Sequence, residues 1–190
     1  MKFLTLFAVI AMIFAVAPTA DDYNIDASHS AMAFKVQHFG AGYTHGRFND
    51  FGGSVTFDAK DDSKNSISIN IKAKSIDSGN AKRDDHLRGK DFFFAKKYKT
   101  LTFKSTSFKR KAGSKNEYEV KGVLKMHGKK KEITVNAKFL GEGSDPWGNY
   151  RCGLSCNFTV KRSDFGMKYM PNGIADEVHI TADVEGVRKK

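Results

Sequence analysis

Cysteine, proline and tryptophan are all scarce in this chain. Two cysteines in 190 residues exclude a disulfide-dense scaffold, and three prolines exclude a long proline-rich or disordered tract. Long apolar runs are missing after residue 16. With a mean hydropathy of −0.47, a helical protein that crosses a membrane many times is excluded as well. Acidic charge is also short, since 21 Asp and Glu face 32 Lys and Arg and leave a net charge of +11. What remains is a basic, folded chain of a length that suits one domain.

The first 20 residues form a segment of their own. Lys2 is followed by an uncharged apolar run from Phe3 to Val16 and then by the small residues around Ala17 and Ala20. This reads as a secretory signal peptide over 1–20, because the apolar run is shorter than the roughly 20 residues a membrane-spanning helix needs. The expected mature domain is 21–190, periplasmic or secreted. In such a compartment disulfides can form, but Cys152 and Cys156 sit four residues apart in an extended pattern. Their Cα atoms are then about 13 Å apart, about twice the reach of a disulfide. Both should be free thiols.

Over most of the remaining chain apolar residues alternate with polar ones, the period of a half-buried strand. The inward set begins with Phe34, Val36 and His38, continues at Val55 and Phe57, and returns at Phe103. Val120 and Leu124, then Val135 and Ala137, carry it through two further strands. Cys152, Leu154, Cys156 and Phe158 share the parity of the next, and Val178 to Val184 make the last. Eight strands with short turns predict an antiparallel, all-β meander, either a sandwich or a closed barrel. Lysines on the opposite face, such as Lys72, Lys121 and Lys138, put the apolar face inside, the reverse of an outer-membrane barrel. Only Asn80 to Lys90 breaks the period, and it reads as a short helix. An eight-stranded interior is just wide enough to be filled by side chains or to hold one small ligand, and periodicity does not decide between the two.

Few motifs carry chemistry. The six histidines fall on separate segments without a zinc spacing, so no metal site is expected. Asp84 and His86 lie within one helical turn and could form an acid/base pair, although no nucleophile accompanies them. Nucleic acid is excluded as a partner: the aromatics are mostly inward, and stacking on bases needs exposed rings. The lysines, scattered over turns and outer strand faces, suit a solvated surface or an anionic membrane surface.

Several of these residues occur in a recognisable order. Tyr23-x-Ile25-Asp26, Phe34-x-Val36-x-His38, Ser75-Ile76-Asp77-Ser78-Gly79, Arg83-Asp84-x-His86-Leu87, Pro146-Trp147-Gly148 and Arg162-x-Asp164-Phe165-Gly166 resemble the YceI-like family of polyisoprenoid-binding, lipocalin-like proteins. Phe94 departs from it, standing where the family often has an acidic residue. The resemblance implies an extended eight-stranded antiparallel barrel whose interior holds a polyisoprenoid, an isoprenoid quinone or a fatty amide. It implies a lipid-binding protein with no cofactor beyond that lipid and no catalysis; the alternative is an enzyme acting on the lipid through Asp84 and His86. Candidate head-group contacts are His38, Arg83, His86, Trp147 and Arg162. A membrane surface and a second copy of the chain are admitted as further partners. Ala137 and Gly122 are expected to keep the interior open.

Overall fold

The eight expected strands are present, but three of them are broken into two segments. The structure, a computed structural model, describes residues 20–189; the expected signal segment, apart from Ala20, lies outside the described residues. Eleven segments form one antiparallel sheet: β1 (Asp21–Ile25), β2 (Ala31–His38), β3 (Gly42–Phe48), β4 (Phe51–Phe57), β5 (Ser66–Lys72), β6 (Ile76–Asp77), β7 (Thr100–Arg110), β8 (Glu117–Met126), β9 (Lys129–Ser144), β10 (Tyr150–Lys161) and β11 (Ile174–Arg188). β1 and β2 both pair along one edge of β11, β3 and β4 lie along that composite strand, and β5 and β6 lie along the next. Three composites and five single strands make eight, and the β1–β11 pairing closes the ring. The closed eight-stranded antiparallel barrel leaves no long open edge.

The segments β1, β3 and β6 go beyond the strands read from the alternation. β1 buries only Tyr23, β3 is glycine-containing and exposed over most of its length, and β6 has two residues. None offers an apolar residue at every second position. The β8–β9 turn is also shorter than expected. His127 and Gly128, with φ of 51° and 75°, connect Met126 directly to its partner Lys129. Two left-handed residues in succession make the tight hairpin turn whose twist matches that of the strands.

Strands alternate in direction, so their connections alternate between the two ends of the barrel. At one end lie the connections 58–65, 111–116 and 145–149; at the other lie 39–41, 78–99, 127–128 and 162–173. The helix α1 (Ala81–Arg88) is in the second set and is capped by Asn80, whose side chain accepts from the Arg83 amide at 3.0 Å. Its faces are mostly polar, and it is held by side chains: buried Asp84 accepts from the Ser78 amide and hydroxyl at 2.8 and 2.5 Å. Arg88 donates to the carbonyls of Lys74 and Ile76, both at 2.9 Å.

Candidate functional site

Inside the barrel the two ends differ. At the end away from the helix, aromatic rings fill the lumen. Phe57 stacks on Phe139 with centroids 4.0 Å apart and planes 8° from parallel, and meets Tyr118 edge-on at 5.9 Å. Tyr23, fully buried, donates its hydroxyl to Glu142 at 3.2 Å, and burial pushes its pKa well above the usual tyrosine value. Rings of this size bury a large area each, and together they plug the barrel. Outside the plug, the Arg151 guanidinium is gripped by Asp145 at 2.7 Å, Asp26 at 2.9 Å and Glu185. It ties the β9–β10 turn to β1 and β11. Asp26, Glu185 and His29 also stand close enough together to hold a metal ion, but both carboxylates are already paired with Arg151 and His29 meets Asp26 at 2.9 Å.

From the plug to the helical end runs a cavity of about 180 Å³. A water-sized group needs about 10–15 Å³ in the same measure, so there is room for on the order of a dozen methylene-sized groups. Inward residues from around the barrel line it, and of all the lining side chains only Thr102 and Arg162 carry nitrogen or oxygen. Leu87, Phe92 and Phe93 form its mouth on the helix side; Met167 and Ile174 form it on the opposite side. The Tyr169 ring bridges the two sides, meeting His86 at 5.1 Å and Phe92 at 5.5 Å.

Ten of the fourteen residues expected to face a ligand line this cavity: Phe34, Val36, Phe103, Val120, Leu124, Val135, Ala137, Leu154, Cys156 and Phe158. Val55, Phe57 and Cys152 share their parity and are buried, but lie at the level of the plug. His38 is exposed, since the alternation runs past the barrel edge there and the imidazole packs on Phe39 at 4.6 Å. Gly122 does not open the lumen, because the Phe103 ring occupies its notch. Both thiols are free and buried, and burial pushes each up to about 12.

The expected head-group contacts separate. Trp147 is 80% exposed in the turn at the plugged end, so it stands at the wrong end of the barrel. Arg83 is exposed and donates to the Ser78 hydroxyl and carbonyl, both at 2.7 Å, which fastens the helix start. His86 pairs with Asp91 at 2.8 Å, whereas Asp84 is committed to Ser78. The two do not form a relay.

Arg162 alone of this group lines the cavity. Only 5% exposed, it donates to the carbonyls of Ala175, Met167 and Ile174 at 3.0, 3.0 and 2.8 Å. Among the described residues no carboxylate lies within ion-pair distance, and burial lowers its pKa from the ordinary arginine value. A guanidinium has five N–H groups, and two remain beyond these three bonds. Arg162 also borders a second concavity of about 340 Å³, lined with it by Ser163, Lys168 and Asp176 and by Met167, Pro171 and Ile174. The sequence alternation missed the lining contributed by Leu87, Phe92, Phe93 and Met167. Their only signal is that they are apolar residues inside polar, irregular segments.

Comparison with known proteins places this geometry. A family model described as the YceI-like domain matches residues 23–186. A UPF0312 protein of Vibrio cholerae is 42% identical over 186 residues, covering 97% of this chain and 95% of that protein. The crystal structure of BcnA from Burkholderia cenocepacia superposes with a TM-score of 0.76 at 28% identity, over 85% of this chain and 98% of that one. A polyisoprenoid-binding domain from Saccharophagus degradans shares the fold at a TM-score of 0.66 and 15% identity, over 88% and 98% of the two chains.

Proposed function

The chain belongs to the YceI-like domain family, and from that we propose that it binds one long apolar lipid chain, tail towards the aromatic plug and head group at the mouth. The observation that carries this reading is a cavity lined by apolar side chains from all around the barrel, with Arg162 the one charged side chain in its lining. A solid core would close such a space, since protein interiors pack to the density of organic crystals. Each methylene withdrawn from water into it stabilises the complex by about 0.8 kcal/mol. That the Saccharophagus domain is a polyisoprenoid-binding one supports the same class of ligand.

At the head, a polyprenyl phosphate, a quinone and a fatty amide all present hydrogen-bond acceptors. Arg162, with donors to spare and no carboxylate within ion-pair distance among the described residues, is the group that meets them. The protein carries or sequesters its lipid without chemistry, in the periplasm or outside the cell, as the signal-like first 20 residues suggest.

Native mass spectrometry of the purified protein, followed by organic extraction, tests this. A complex heavier than the polypeptide by one lipid is expected, and the stripped protein should gain thermal stability when a polyprenyl or quinone ligand is returned. A protein that carries nothing and is stabilised by none of these ligands would overturn the reading.

A further inference from the structure

Charge is not spread evenly over the barrel. The mouth-end connections contain nine Lys and Arg against four Asp, whereas those at the plugged end contain four of each sign. Lys90, Lys96, Lys97 and Lys168 at the mouth are exposed and form no ion pair among the described residues. Lys129 and Lys130, at the start of β9, add to the same end.

Of six exposed large apolar side chains among the described residues, three lie in the mouth-end connections, whereas Leu140 and Trp147 stand towards the plugged end. Phe39 is 62% exposed, Met170 41% and Tyr169 39%. They belong to two connections that are hydrogen-bonded together, with the Phe39 amide donating to the Gly173 carbonyl at 2.8 Å. Phe39 and Met170 both flank Gly173, and both have φ of 48°, a left-handed backbone uncommon outside Gly, Asn and Asp. Strain and apolar exposure therefore coincide at the tip of the molecule. Such coincidences mark functional surfaces.

From these two independent features we propose that the mouth end docks on the surface of an anionic phospholipid bilayer, the basic connections meeting the head groups while Phe39, Tyr169 and Met170 enter the interface. Apolar side chains flanked by lysines are the composition of a peripheral membrane contact. Docking in this orientation sets the helical end of the apolar cavity, where Leu87, Phe92 and Phe93 line it, against the lipid, so cargo need not cross water. The inference rests on the lipid-binding reading for its purpose, but the docking itself does not require cargo.

Co-sedimentation of the lipid-stripped protein with vesicles of phosphatidylcholine alone, or of phosphatidylcholine with phosphatidylglycerol, tests it separately from cargo binding. Binding is expected only to the vesicles containing phosphatidylglycerol and should fall as salt rises. Lys90→Gln and Lys96→Gln should each weaken it by roughly fivefold. Phe39→Asn with Met170→Asn, which suits the left-handed backbone and spares the fold, should weaken it several-fold without changing cargo retention by mass spectrometry. Trp147→Ser, at the plugged end, should leave it unchanged. No binding to either vesicle, leaving the rim to a protein partner, would overturn the proposal, as would equal binding to both or an equal loss in Trp147→Ser.

Discussion

The Cζ atom of Phe103 lies 2.5 Å from the point where a β-carbon on Gly122 would stand, so the ring fills the place of the side chain that Gly122 lacks. Phe34 does the same across the sheet at Gly46, its register partner. Rings seated in these notches take part of their volume from the wall and leave more of the lumen free. Glycine therefore shapes the cavity indirectly, as a seat for phenylalanine.

Gly122→Ala should consequently destabilise the protein by about 1–3 kcal/mol, the usual cost of overpacking. The new methyl meets the Phe103 ring and also the Lys104 carbonyl at 2.6 Å, which backbone pairing holds in place. Urea denaturation measures the loss. Adding Phe103→Leu should recover part of it, because residues in contact are energetically coupled; a second mutation that merely adds its own cost would contradict the seating.

The barrel was legible because inward and outward residues alternate, and alternation survives whatever lies in the lumen. Depth along the barrel axis was not legible. Val36 and Phe57 have the same parity, yet one lines the cavity and the other plugs it. Trp147 could have been placed, since connections alternate between ends and the β9–β10 turn falls opposite the helix. The burial of Arg162 could not: nothing in its neighbourhood announces that three carbonyls from 167, 174 and 175 turn towards it.

The thiols report on that depth. With pKa values near 12, neither Cys152 nor Cys156 supplies appreciable thiolate at neutral pH, so both should resist a bulky maleimide in the folded state and react on unfolding. A slim apolar thiol reagent entering through the mouth should reach Cys156, which lines the cavity, before Cys152, which lies at the plug. Bound lipid should protect Cys156. Peptide mapping after timed labelling gives the order, and earlier labelling of Cys152 would place the opening at the other end.

Acid should loosen the plugged end first. The Arg151 side chain and then Asn149 hold the Asp145 carboxyl well below the usual carboxylate range, and Ser28, His29 and Arg151 do the same for Asp26. Because these pKa values are depressed in the folded protein, the unfolded chain takes up protons first as pH falls. The stabilisation is fully present above the unfolded value of about 4 and is lost progressively below it. Thermal midpoints should be level near neutrality and fall below about pH 4. Arg151→Met should lower the midpoint at neutral pH and flatten the acid decline; an unchanged decline would assign it to other groups.

The most direct test of the cavity is Ala137→Phe. Ala137 is 4% exposed and faces the cavity between β8 and β10, so a ring placed there must occupy either empty volume or volume already held by neighbours. In a filled core the second case applies, and the added atoms cost about 1–3 kcal/mol. In an open tunnel the ring takes the place of ligand. The variant should then lose co-purified lipid while its melting temperature, measured after stripping, stays close to that of the stripped parent. Ala137→Ser, nearly the same size, separates volume from polarity: it should keep the lipid, because one hydroxyl on the wall leaves the passage open. If Ala137→Phe instead unfolds several degrees below the stripped parent while still retaining lipid, the ligand lies elsewhere and the apolar cavity is not its site.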